Sequence, residues 1–158
     1  MAEFVITKTF EDFSVGDTFE SDGRTVTEAD IRMFIGATGA THPNHVDREF
    51  ATSHPVLDLD DVVAQGVLTL SVADGFVSAT LGEGETLLAA NYGYDRVRFL
   101  DPVYPGDTVS ATIEVAECEA RDDDWGRLVL DVTVTNQDGD VVLVAENVQL
   151  VATEDFEV

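Results

Sequence analysis

The stretch Gly66-Val67-Leu68-Thr69-Leu70-Ser71-Val72-Ala73-Asp74-Gly75-Phe76-Val77-Ser78-Ala79-Thr80-Leu81 decides the fold. On a helical wheel its Val, Leu, Ala and Phe side chains go nearly all the way round, and Asp74 is the only charge. A helix apolar on all sides has to be wrapped by other structure. At about 1.5 Å per residue it is long enough to cross a small domain.

Beyond this helix the chain reads almost purely as strand. Asp107 to Glu119 alternates, with Val109, Ala111, Ile113 and Val115 on one face and Ser110, Thr112 and Glu114 on the other. Leu128, Leu130, Val132 and Val134 repeat the pattern after an Asp122-Asp123-Asp124 turn. Asp138-Gly139 signals a hairpin, from which Val141 to Ala152 returns as a last strand. A buried helix followed by an antiparallel meander predicts an α+β architecture, a curved sheet wrapped round one helix.

Before the helix, Phe4 to Phe19 mixes short β-like runs with the turn Ser14-Val15-Gly16-Asp17. A second helix begins at Thr25 to Glu28. Thr25 with Glu28 fits a capping box, and Thr27 with Asp30 is a rival cap. This helix carries Ile31, Phe34 and Ile35 on one face and should stop between Gly36 and Gly39. Ala40 to Leu59 is polar and irregular, with a short helix expected around Asp47 to Thr52. It holds all three histidines, His42, His45 and His54, so most of the site chemistry is expected here.

At 158 residues and 44% apolar content the chain reads as one domain, residues 1–158, with enough material for a real core. No run approaches the roughly 18 apolar residues of a membrane span, and Met1-Ala2-Glu3-Phe4 lacks the basic start of a signal peptide. The single cysteine, Cys118, reads as a small core residue and asks for no oxidising compartment. These features predict a cytoplasmic protein.

Charge sets the chain apart: 32 acidic residues against 8 basic ones give a formal net charge of −24, and Lys8 is the only lysine. The acids are dispersed among regular apolar patterns, which argues against a disordered acidic tail. Molar salt cuts the Debye length to about 3 Å and removes most of the self-repulsion, so the surface reads as halophilic. The same charge repels phosphate backbones and excludes nucleic acid as a partner. Arg96 and Arg98, two residues apart on one expected strand face, either pair with local carboxylates or meet an anionic ligand. Pro43 between His42 and His45 argues against a metal pair on a helix face, and no metal site is expected.

Three stretches, in order, resemble the MaoC-like dehydratase and (R)-specific enoyl-CoA hydratase family. Gly39-Ala40-Thr41-His42-Pro43-Asn44-His45-Val46-Asp47 is similar to its hydratase motif. Val62-Val63-Ala64-Gln65-Gly66 is similar to the Val-His-Gly at the head of its central helix. Arg98-Phe99-Leu100-Asp101-Pro102-Val103-Tyr104-Pro105-Gly106-Asp107 looks like the strand-turn that leads its meander. The resemblance implies the hot-dog fold and a homodimer or higher homo-oligomer. It also implies addition of water to an enoyl-CoA, or its loss from a 3-hydroxyacyl-CoA, with coenzyme A as part of the substrate and no separate cofactor. His45 matches the catalytic histidine, an imidazole suited to acid–base work near neutral pH. Gly66 matches the glycine whose N–H at a helix N-terminus steadies a developing enolate.

The motif's aspartate does not carry over: five residues before His45 stands Ala40. His42 takes the motif's Asn position and Gln65 that of the Val-His-Gly histidine. His42, or an acid such as Asp47, Asp58, Asp60 or Asp61, is a candidate replacement. Asn44, Gln65, Arg96 and Arg98 are candidate substrate contacts. A substrate whose own substituent assists, an acyl-CoA thioesterase, and an acyl-CoA-binding module without turnover remain alternatives.

Overall fold

The computed structural model describes residues 5–82 and 86–156, so Met1 to Phe4 lie outside the described residues. Among the described residues three α-helices, α1 (Glu28–Thr38), α2 (Arg48–Thr52) and α3 (Gly66–Leu81), join six strands. These are β1 (Thr18–Glu20), β2 (Arg24–Thr25), β3 (Ala89–Phe99), β4 (Thr108–Ala120), β5 (Trp125–Thr135) and β6 (Val141–Ala152). They form one antiparallel sheet in the order β1-β4-β5-β6-β3, with β2 also on β4. The long strand β3 is therefore an edge.

The core forms where the inner sheet face meets α3. Val109, Ala111, Ile113 and Val115 of β4 and Leu128, Leu130, Val132 and Val134 of β5 are fully buried, as their alternation predicts. They share a cluster with Leu68, Val72, Ala73, Phe76, Val77 and Leu81 of α3. Alternation in β4 holds only to Val115, because a register shift between Val115 and Glu117 inserts an extra residue. Cys118 is consequently half-buried, with its thiol beside the Phe13 carbonyl.

Enclosure of α3 is incomplete. Val67 is 56% exposed, and Ser71, Gly75 and Ser78 continue an open stripe down the same side. Composition predicted burial all round, but one sheet can cover only one side of a helix within a single chain.

Thr27, not Thr25, caps α1: its side chain accepts from the Asp30 N–H while Asp30 accepts from the Thr27 N–H at 2.8 Å. Thr25 is instead drawn into β2, opposite Thr108, where the two hydroxyls bond at 2.8 Å. The helix ends at Gly39, whose left-handed φ of 72° suits glycine. Phe10 lies in a short turn of 3-10 helix (Phe10–Asp12), where β-like sequence predicted extended chain. Its ring occupies the space over Gly126 that any side chain there would need.

Candidate active site

The polar loop after α1 is organised around a single 3-10 turn, Pro43–His45. Pro43 presets its φ, and His42 closes its start, with Nδ1 accepting from the Asn44 N–H at 3.4 Å. The His45 N–H donates to the His42 carbonyl at 2.9 Å, which fixes the backbone beneath the imidazole. The His42 ring stands edge-on to His45, 6.3 Å between centroids, and edge-on to Phe50 at 6.2 Å.

His45 reaches across to the segment that leads into α3. Its Nδ1 lies 2.7 Å from the Val63 carbonyl, and the Val63 N–H donates to the Asn44 carbonyl at 3.0 Å. A carbonyl can only accept, so Nδ1 carries the proton. In the uncharged imidazole Nε2 is then left as a lone-pair acceptor, the form a general base requires. Nothing in the sequence marks Val63 as the orienting partner, because the group that acts is a backbone oxygen.

Three residues after Val63, α3 begins. Its N-cap, Gln65, makes no side-chain capping bond. Among the described residues no protein acceptor meets the Gly66 N–H, one of the donors every helix N-terminus leaves over. Gly66 and Val63 line one cleft of about 290 Å³ with Thr69, Phe99, Pro102 and Val103. A side chain at position 66 would come within 2.9 Å of the Phe99 ring, so only glycine fits without displacement.

Unpaired groups point to the same place. Among the described residues, the buried side-chain polar atoms without a partner are Asn44 Oδ1 and both Gln65 amide atoms. They flank the His45–Val63 junction on either side. Leaving a buried polar atom unsatisfied costs about 1–3 kcal/mol, and such atoms gather where function keeps them.

Of the acids that sequence suggested as replacements for the motif's aspartate, Asp47 and Asp61 are engaged by other partners. Asp47 caps α2 by accepting from the Phe50 N–H at 3.0 Å. Asp61 accepts from Arg48 at 2.6 Å and 3.1 Å, and this pairing holds its carboxyl below the usual carboxylate range. Asp58 and Asp60 line a groove with Tyr104 and Asp138 that adjoins the Gly66 cleft through Asp101 and Pro102. His54 is a loop residue whose Nδ1 accepts from the Val56 and Leu57 N–H groups.

Arg96 and Arg98 do not keep the shared face that their spacing predicts. A register shift between Asp95 and Arg98 bulges β3, and Arg96 takes a left-handed φ of 50°. Arg96 pairs with Glu146, the local-carboxylate alternative. Arg98 is exposed, donates to the Val97 carbonyl at 2.7 Å, and has no ion pair among the described residues. It adjoins Phe99 at the cleft.

Residues 12–137 match the family model described as "MaoC like domain". The chain is 34% identical over 114 residues to the (R)-specific enoyl-CoA hydratase of Rhodospirillum rubrum, covering 72% of this chain and 74% of that protein. It is 36% identical over 107 residues to Protein MaoC of Klebsiella aerogenes, covering 67% of this chain but only 30% of that longer protein. The solved structure of a monoamine oxidase regulatory protein from Archaeoglobus fulgidus superposes with a TM-score of 0.81 at 36% identity, over 92% of this chain and 95% of that one. Sheet order, central helix and sequence thus agree, and the chain belongs to the MaoC-like dehydratase family, with its hot-dog fold.

Proposed function

We propose that this protein is a hydratase or dehydratase that adds water to an enoyl-CoA, or removes it from the 3-hydroxyacyl-CoA. The observation that carries the reading is the His45 Nδ1–Val63 contact of 2.7 Å, which leaves Nε2 as a lone-pair acceptor and ties the imidazole to a residue that lines the Gly66 cleft. Family membership and a hydratase relative at 34% identity support it.

In the hydration direction, His45 Nε2 takes a proton from water as the water oxygen bonds to the β-carbon of the enoyl thioester. The π electrons move onto the thioester oxygen, where the Gly66 N–H and the helix dipole stabilise the enolate. Collapse of the enolate, with the proton held on His45 Nε2 passed to the α-carbon, completes the 3-hydroxyacyl-CoA and returns the imidazole to its neutral form. Ala40 contributes no carboxylate to this sequence of steps. Asn44 Oδ1 and the Gln65 carboxamide, unpaired and close in sequence to the imidazole and its anchor, serve as contacts for water and thioester. His42, edge-on to His45, buttresses the imidazole. Arg98 is the cation available to the coenzyme A phosphates, whereas Arg96 is engaged by Glu146.

We read residues 1–158 as one such domain working in a salt-rich cytoplasm as a homodimer. Its open edge strand β3, the exposed Val67 on α3 and the exposed Phe99 and Leu100 at the cleft support pairing of two copies. Ala40 favours a second reading, acyl-CoA binding without turnover.

Incubation with crotonyl-CoA in molar KCl tests these readings. Loss of enoyl absorbance without free thiol is the expected result. Release of free coenzyme A would mark a thioesterase, and binding without turnover would favour the second reading.

A further inference from the structure

Thr69 lies one turn into α3 from Gly66 and is only 4% exposed. Residues three apart on a helix share a face, and each Cα–Cβ bond tilts toward the helix N-terminus. The Thr69 side chain therefore leans back over the turn that Gly66 begins, its Cα about 4.5 Å along the axis at 1.5 Å per residue. Gly66 has no side chain to fill that space, and both residues line the same cleft of about 290 Å³.

Among the described residues the Thr69 hydroxyl has no hydrogen-bond partner. A helical serine or threonine commonly donates back one turn, as Ser71 does to the Val67 carbonyl at 2.8 Å and Thr52 to the Arg48 carbonyl at 2.9 Å. For Thr69 that acceptor would be the Gln65 carbonyl, which already accepts from the Leu68 N–H at 2.8 Å and from the Thr69 N–H at 3.2 Å. Both of its lone pairs are taken, and the hydroxyl is left over. The side-chain atoms that lack surface as well as a partner belong to Asn44 and Gln65. The Thr69 oxygen is not one of them, so it keeps surface, on the cleft that its residue lines.

We propose that Thr69 Oγ1 donates a second hydrogen bond to the thioester oxygen, so that the enolate forms between this hydroxyl and the Gly66 N–H. The proposal rests on the hydratase reading of the His45 site. Among the described residues that line the cleft, Thr69 and Asp101 alone have polar side chains, and a carboxylate only accepts. An oxygen gaining negative charge needs donors, and Thr69 is the side chain in these walls that supplies one. Val63, Ala64, Val103 and Val142 make the rest of the wall apolar, which strengthens such a bond. The hydroxyl keeps its proton throughout, while the charge on the thioester oxygen rises and falls.

The test is Thr69→Val, which keeps the shape of the side chain and removes the hydroxyl, assayed with crotonyl-CoA on the full chain in molar KCl. kcat is expected to fall by about 10²-fold with KM little changed, the pattern of an interaction made in the transition state. The thermal midpoint should equal or exceed that of wild type, because the variant loses an unpaired buried hydroxyl. Thr69→Ser keeps the donor and should recover most of the rate. Hydration by Thr69→Val within about twofold of wild type overturns the assignment and leaves the hydratase reading intact. A raised KM at unchanged kcat does the same, since it marks a ground-state contact. A serine variant as slow as the valine one overturns the role of the hydroxyl. Absence of turnover by wild type on every enoyl-CoA overturns the hydratase reading and this assignment with it. If the valine variant does not fold, Thr69→Ala takes its place.

Discussion

Gly66→Ala puts a methyl group where the structure has no room for one. The added Cβ would lie 2.9, 2.9 and 3.0 Å from three Phe99 ring atoms. Carbon atoms pack best at about 3.5–4.0 Å, so the ring or the helix start must move by about 0.6 Å or more. Two terms oppose each other in stability. Overpacking costs about 1–3 kcal/mol, and replacing a helical glycine by alanine returns up to about 1 kcal/mol. Phe99 is 50% exposed and can swing outward, so the net loss should fall toward the lower end of that range. Alanine keeps the backbone N–H assigned to the enolate, so activity falls only as far as the helix start, and not the ring, shifts that N–H out of line. The loss is at most about 10²–10³ in kcat, the scale of removing one such donor outright. The assay is loss of enoyl absorbance from crotonyl-CoA in molar KCl, with the thermal midpoint measured alongside. Phe99→Ala in the same chain should recover much of the lost rate, since it removes the obstacle. A Gly66→Ala rate within about twofold of wild type would refute the claim that the added methyl moves the helix start. A double variant no faster than the single one would refute the steric argument.

His45→Ala should lower hydration by about 10²–10⁴ while the circular dichroism spectrum stays that of the wild type; an active variant would remove His45 from the chemistry. Asp30 is held below the usual carboxylate range, first by the Thr27 hydroxyl, then by the Thr27 N–H, with Arg24 adding to it. Its folded pKa lies below its unfolded one, so its stabilisation is present above about pH 4 and fades as pH falls through the lowered value. Asp30→Asn should therefore reduce stability at pH 7 and match wild type in strong acid; a difference that persists unchanged to low pH would contradict this. Added KCl should raise the thermal midpoint, because about 3 Å of Debye length at molar salt screens a net charge of −24; a midpoint independent of salt would sink the halophilic reading.

Local chemistry announced itself along the chain wherever one residue's neighbours in sequence were also its neighbours in space. The alternation of β4 and β5, the hairpin at Asp138-Gly139 with its φ of 88° at Gly139, and the span Gly66–Leu81 are of this kind. His45 and Gly66 were legible only as a resemblance, through the residues around them. Tertiary structure decided what lies between those marks. Thr27 won the helix cap because β4 drew Thr25 into the sheet. A bulge in β3 parted Arg96 from Arg98, and a backbone register leaves no trace in side-chain type. The Val63 carbonyl that sets the protonated nitrogen of His45 comes from 18 residues away, and the hydrogen bonds that link Gln149 to Asn147, Asn147 to Asn91 and Asn91 to Asp74 draw on β6, β3 and α3 at once. Each depends on which atoms the fold brings within about 3 Å, a distance that hydrogen bonds require and that spacing along a sequence does not encode.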